Sequence, residues 1–215
     1  LTSGGVISPT DPLELPQYSA EEIAAACQEA ARRGTYVTAH AYSAQAVAHS
    51  IENGVRCIEH GNLIDQPTAR TMAQTGTALI PTLATYDAMD RRGDEIGLTA
   101  VGRQKNSAVL DAGKNAIRLA RAAGVRIGFG TDLMADLEEE QLHGLRLQAE
   151  IEGLERTIEA ATATNAAILG IGADVGMVRP GFSADLVVFP GDLRSDPELL
   201  WTSGRKVISR GKLIN

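Results

Sequence analysis

The sequence predicts an α/β protein built on parallel strands. Short β-rich runs alternate with Ala-rich stretches of helical period through residues 1–169. Each helical stretch leads straight into the next β run, which implies crossover helices between parallel strands. A third observation marks a change of class: residues 172–215 carry Gly and Pro punctuation and short β runs with no helix between them.

The elements follow in order. A helix is predicted over Ser19–Arg33, with Ser19 as N-cap and Glu22 completing a capping-box pattern. Its apolar stripe is Ile23, Cys27, Ala30 and Ala31, and Gly34 stops it. Strands are expected at Thr35–His40, Val55–His60 and Thr77–Thr82, separated by helices over Ser43–Asn53 and Asp65–Gln74. The charged stretch Asp87–Leu98 reads as a loop or lid. A long helix over Gly102–Ala123 leads to a fourth strand, Val125–Asp132, and then to helices over Glu138–Ile151 and Glu155–Leu169. The tail is expected to hold strands at Ala184–Phe189, Lys206–Ser209 and Lys212–Asn215, with a hairpin at Arg210-Gly211. A boundary near Gly170–Asp174 divides the chain into units 1–171 and 172–215.

Composition excludes several classes. With 44% apolar and 22% charged residues, the 215-residue chain has the balance of a globular protein with a real core. The apolar runs are too short to span a membrane, and Leu1–Gly5 is no signal peptide. A net charge of -7 argues against nucleic acid as a partner. Cys27 and Cys57 are the only cysteines, so neither a disulfide scaffold nor a Cys-rich metal site is available, and a reducing, cytoplasmic setting is compatible.

The chemistry gathers at strand ends. His40, His60 and Asp132 each close a predicted strand, and loops after the C-terminal ends of parallel strands form the functional face. The three residues are therefore expected on one rim. Period two puts Tyr36, Thr38 and His40 on a single strand face. One histidine at a strand end is ordinarily a hydrogen bonder. Two with an aspartate at equivalent points of successive units indicate a shared metal site, suited to zinc or another first-row divalent ion. Three protein ligands leave a coordination position open, where a metal acidifies bound water and polarises a carbonyl. Asp132 is then also the candidate general base.

Other residues carry weaker signals. His49 lies mid-helix and reads as surface or packing. His143 follows the acidic run Glu138–Glu140 near the functional face; it is a candidate substrate contact beside the plainer reading of a solvated helix residue. Tyr42, two residues past His40, is placed either to donate to a substrate carboxylate or to pack. Gly4-Gly5 and the Ser8–Pro12 segment read as a rigid, turn-rich loop. No dinucleotide fingerprint or Ser-His-Asp motif is present.

Several segments resemble the amidohydrolase superfamily: VTAHAYSAQAVAHSIENGVRCIEHGNLID (Val37–Asp65), LIPTLATYDA (Leu79–Ala88), GFGTDLM (Gly128–Met134) and AATATNAAILGIGADVGMVRPGFSADLVVF (Ala160–Phe189). The nearest branch is the imidazolonepropionase-like and prolidase-like (Xaa-Pro dipeptidase-like) group, in which Ser3–Pro12 resembles the loop after the fourth barrel strand. The resemblance implies that units 1–171 and 172–215 are strands five to eight of a (β/α)8 barrel and part of a small β-sandwich. It implies His40 and His60 as metal ligands after strands five and six, and Asp132 as ligand and general base after strand eight. It assigns Tyr42 to the substrate carboxylate.

The chain departs from the family pattern in having no HxH pair, and the family's bridging lysine would fall just before Leu1. A whole barrel needs about 250 residues. The expectation is therefore the C-terminal half of a zinc-dependent hydrolase of dipeptides or N-acyl amino acids ending in proline or a similar residue, with a homo-oligomer among its expected states. The alternatives are an amidohydrolase acting on a cyclic amide, a non-catalytic half-barrel serving assembly, and a ligand-binding α/β domain.

Overall fold

The computed structural model describes residues 1–214 and has an α/β architecture. Strands β1 (Thr38–Ser43), β2 (Cys57–Leu63) and β3 (Ala78–Ile80) pair in parallel in the order β1-β2-β3. Helix α1 (Ala20–Arg32) precedes β1, while α2 (Ala44–Glu52) and α3 (Gln66–Thr75) are the crossovers. The capping box of α1 is present: Ser19 Oγ accepts from the Glu22 N–H, and the Glu22 carboxylate accepts from the Ser19 N–H. Ser43 and Asp65 cap α2 and α3, each side chain accepting an N–H three residues on.

Two expectations need correction. The stretch read as a loop at Asp87–Leu98 is helical through Arg92, because α4 runs over Leu83–Arg92. Leu83, Tyr86 and Met89 form its buried face at helical spacing. The charges that masked this period are paired: Arg91 bonds Asp87 one turn back, and both Arg91 and Arg92 bond Glu140. The fourth strand, expected over Val125–Asp132, is reduced to a parallel bridge between Leu79 and Ile127. Beyond it the Asn165 side chain takes a neighbouring strand's place. Its Oδ1 accepts from the Phe129 N–H at 3.0 Å, and its Nδ2 donates to the Phe129 carbonyl at 2.8 Å.

Helix α5 (Ala100–Ala123) crosses behind the sheet. A 3-10 turn (Ala135–Glu140) leads into α6 (Gln141–Glu152). Next, α7 (Leu154–Glu159), a π turn (Ala160–Thr164) and α8 (Asn165–Ile168) run on as one rod. The tail forms an antiparallel sheet of β4 (Leu186–Val188), β5 (Lys206–Ser209) and β6 (Lys212–Leu213). Arg210 and Gly211 make its hairpin turn at φ 48° and 78°, the left-handed pair that a two-residue turn requires. The last tail strand was expected to reach Asn215, which lies outside the described residues. No described helix is long and apolar enough to cross a membrane.

The main core lies between the sheet and its helices, around Ile58, Met72, Leu79, Ile117 and Ile127. A second cluster, including Val6, Leu13, Tyr86, Met89, Val109 and Leu137, sits under the strand ends. Helix α5 approaches β2 closely at Gly113, where a Cβ would stand 2.7 Å from Asn62 Nδ2 and 3.0 Å from Leu83 Cδ2. Helix propensity favours Ala over Gly by about 1 kcal/mol, whereas overpacking a tight core costs about 1–3 kcal/mol. Gly113→Ala is therefore expected to lower the urea midpoint despite the gain in propensity, by the equivalent of about 1 kcal/mol. A midpoint at or above that of the parent chain would show that the contact has slack.

Candidate functional site

Parallel register sets the site. Thr38 pairs with Cys57, His40 with Glu59, and Ala41 with His60, after which the ladder is interrupted before Ser43 meets Leu63. Along β1, Ala39 and Ala41 are buried against the helices, while Thr38 and His40 share the opposite, open face. At the C-terminal edge, His60 takes φ 76° and the following Gly61 takes φ 57°. Such left-handed backbone costs a non-glycine residue on the order of 1–3 kcal/mol and persists where the surroundings enforce it. Gly61 cannot be larger, since a Cβ there would lie 2.6 Å from Leu79 Cδ1. Asp132 is also left-handed, at φ 51°. Thus two of the three described non-glycine residues with positive φ are candidate site residues, and the third is Arg210 in the tail hairpin.

These turns bring His40, His60 and Asp132 to one cavity of about 200 Å³, with Tyr42, Tyr86, Thr85 and the Gly5–Ser8 segment also in its walls. His40 Nδ1 lies 2.7 Å from His60 Nε2. The far nitrogen of His60, Nδ1, lies 2.7 Å from Thr82 Oγ1 and 2.8 Å from Tyr86 Oη. Thr82 donates to Tyr86, and Tyr86 donates to Tyr42. Both hydroxyl protons are thereby committed elsewhere, so we assign His60 Nδ1 as the donor to these oxygens. The tautomer follows: Nε2 holds the lone pair, and it faces His40. Tyr42 stacks on the His60 ring with centroids 4.7 Å apart.

Electrostatics reinforce the assignment. His60 is only 3% exposed. Burial, with a further contribution from His40, pushes its imidazole down to about 3, so it is neutral near pH 7. Burial raises the Tyr42 phenol to about 12, against the hydrogen bond from Tyr86, so it stays protonated. Tyr86 is raised well above the ordinary range by burial. Asp132 stands at the open side of the cavity; the protein around it raises its carboxyl, and His40 opposes that shift.

Two facing imidazole nitrogens at this distance are joined either by the N–H of a neutral His40 donating to His60 Nε2 or by a metal shared between two lone pairs. On one tetrahedral zinc they would stand about 3.3 Å apart, so the pair need part by only about 0.6 Å. Hydroxyls behind the far nitrogen of His60 are the outer support that metal-binding histidines use. The donor set thus suits a divalent metal at the two histidines. Among the described residues, no group of three or more His, Cys, Asp or Glu side chains is close enough to hold one, so Asp132 shares the cavity without completing a cluster.

His143 is placed elsewhere: it bonds Asp87 at 3.1 Å and does not line this cavity. His49 bonds the Tyr18 carbonyl at 3.0 Å. Sequence reasoning missed Thr82, Thr85 and Tyr86. They share one face of the α4 start, and the Thr-x-x-Thr-Tyr spacing was the available signal, obscured by the charged run after it. Thr85 is 1% exposed, and its hydroxyl has no partner among the described residues.

The amidohydrolase family model matches residues 2–214. An uncharacterised Mycobacterium tuberculosis protein is 33% identical over 190 residues, covering 86% of this chain and 50% of that protein. Aspergillus niger ochratoxinase is 30% identical over 192 residues, covering 87% of this chain and 39% of the enzyme. A prolidase solved with N-methylphosphonate-L-proline superposes with a TM-score of 0.96 at 38% identity, over all of this chain and 53% of its own. The chain spans half or less of the length of these curated relatives. With the family model matched from Thr2 to Ile214, the chain belongs to the amidohydrolase family.

Proposed function

We propose that the chain supplies half the catalytic rim of a metal-dependent hydrolase that cleaves an amide or peptide bond. The observation that carries this reading is the facing pair of His40 Nδ1 and His60 Nε2, with the His60 tautomer set from behind, in one cavity with Asp132. On this reading β1, β2, β3 and the Ile127 segment correspond to strands five to eight of a (β/α)8 barrel, and the tail sheet to part of a β-sandwich.

His40 and His60 would hold the metal, zinc being the ion best matched to imidazole and carboxylate donors, with Asp132 as third ligand. When bound, such an ion lowers the pKa of water and polarises a carbonyl oxygen. Asp132 takes the proton of the attacking water and delivers it to the leaving nitrogen. Its raised carboxyl pKa brings it closer to the protonated state that the second step needs. Tyr42 keeps its proton and has it free to donate, because in the network Tyr42 accepts from Tyr86. A substrate carboxylate is the natural acceptor. That favours a dipeptide or N-acyl amino acid ending in proline or a similar residue, in keeping with the likeness to the prolidase solved with a proline phosphonate.

Metal content provides the first check. The 215-residue chain is expected to bind zinc, and His60→Ala to lose most of it in elemental analysis after dialysis. In the protein that carries this chain, Asp132→Asn should lower kcat by about 10²–10⁴. Turnover that survives exhaustive chelation, or an Asp132→Asn rate equal to the parent, rules the proposal out. Tyr42→Phe removes a hydrogen bond to a charged group and is expected to raise KM by about 10- to 100-fold with a smaller effect on kcat. An unchanged KM for substrates with a free C-terminal carboxylate would remove Tyr42 from substrate recognition.

A further inference from the structure

One wall of the cavity is the loop before α1. Ser3 and Pro16 close it with an antiparallel bridge, and Thr2 stitches its start to β1 by donating its N–H to the His40 carbonyl at 2.8 Å. The loop folds back on itself so tightly that a Cβ on Gly4 would stand 2.2 Å from the Pro12 carbonyl oxygen. Turned inward, its carbonyls would lack donors. Lys105, about a hundred residues later on α5, supplies them: its Nζ lies 3.1 Å from the Gly5 oxygen, 2.6 Å from Ser8 and 2.6 Å from Asp11. An ammonium has three N–H groups, and all three are used. Among the described residues no carboxylate bonds this nitrogen; Asp11 turns its own carboxylate to the Ser8 hydroxyl at 2.6 Å. The caged residues Gly5 and Ser8 flank Val6 and Ile7, and all four face the cavity of His40 and His60.

We propose that Lys105 is a positioning residue: its ammonium plugs a three-carbonyl cage that shapes the Gly5–Asp11 wall of the site, and the emptied cage accepts a free alkylammonium ion. The cage recognises a compact cation with three short N–H bonds, so a guanidinium is the wrong shape for it. The structural half of this inference stands on the geometry alone; only its kinetic consequence rests on the hydrolase reading.

Hydrogen exchange by mass spectrometry on the 215-residue chain tests it. Lys105→Ala is expected to raise exchange at residues 5–11 by about tenfold while β2 and the second half of α5 stay within about twofold of the parent. Methylammonium chloride should restore most of that protection, and tetramethylammonium chloride, which has no N–H, should restore none. Lys105→Met keeps the apolar stem and is run in parallel, so a failure of the alanine variant to fold leaves the question answerable. Unchanged exchange at 5–11, a uniform rise along the chain, or a rise insensitive to methylammonium overturns the proposal. In the active protein the same variant should raise KM and leave kcat within about twofold, with KM recovered by methylammonium. Should hydrolysis never be found, the exchange result still decides the role of Lys105.

Discussion

Parallel pairing in register obliges β1, β2 and β3 to deliver their C-terminal residues to the same edge of the sheet. His40 and His60 stand within hydrogen-bond distance because their strands are adjacent and offset by one residue at the end of the ladder. The start of α4 then falls directly behind His60, where β3 must turn into its helix. Every polar contact at the site inherits its position from that edge. The helices bury the other face of the strands, and the core they form fixes the edge in place.

The edge is also where the structure departs from relaxed geometry. His60 and Asp132 hold left-handed backbone, and Thr85 keeps a buried hydroxyl without a partner among the described residues. Each of these costs on the order of 1–3 kcal/mol. They persist because apolar packing surrounds them on two sides, with the core around Ile58 and Leu79 below and the Tyr86–Met89–Val109 cluster beside them. Left-handed backbone at two of the site's own residues is the pattern expected of a site whose side-chain directions matter more than local stability.

The strand-end residues were legible in the sequence. His40, His60 and Asp132 interrupt β-rich runs at equivalent points, and the alternation of elements says which edge they reach. Strand limits were less accurate: β1 begins three residues later than expected and continues to Ser43, since ladder pairing, not residue preference, decides where a strand stops. Helix α4 was hidden because its exposed face is almost wholly charged, and the arginine pairs that neutralise it reach residues 139 and 140. The Tyr86–Thr82–His60 network and the Lys105 cage were beyond reach for a different reason. They join residues up to a hundred positions apart, and nothing in local spacing encodes which backbone carbonyls a lysine will find.

The bond pair between Asn165 and Phe129 gives the segment that leads to Asp132 an unusual dependence. A strand is normally indexed by its neighbour's ladder, but this segment holds one bridge to β3 and is indexed partly by a helix, through a single amide. The π turn immediately before Asn165 is equivalent to one extra residue wound into that helix. Rewinding Ala160–Thr164 as regular α-helix with no residue removed would swing Asn165 by about 100° around the helix axis, whereas excising one residue would leave its phase nearly unchanged. In the rewound helix the amide would leave Phe129, and the phase of the segment carrying Asp132 would lose its reference. The winding between Leu154 and Asn165, rather than the number of residues there, is therefore what sets the phase of the amide in this fold.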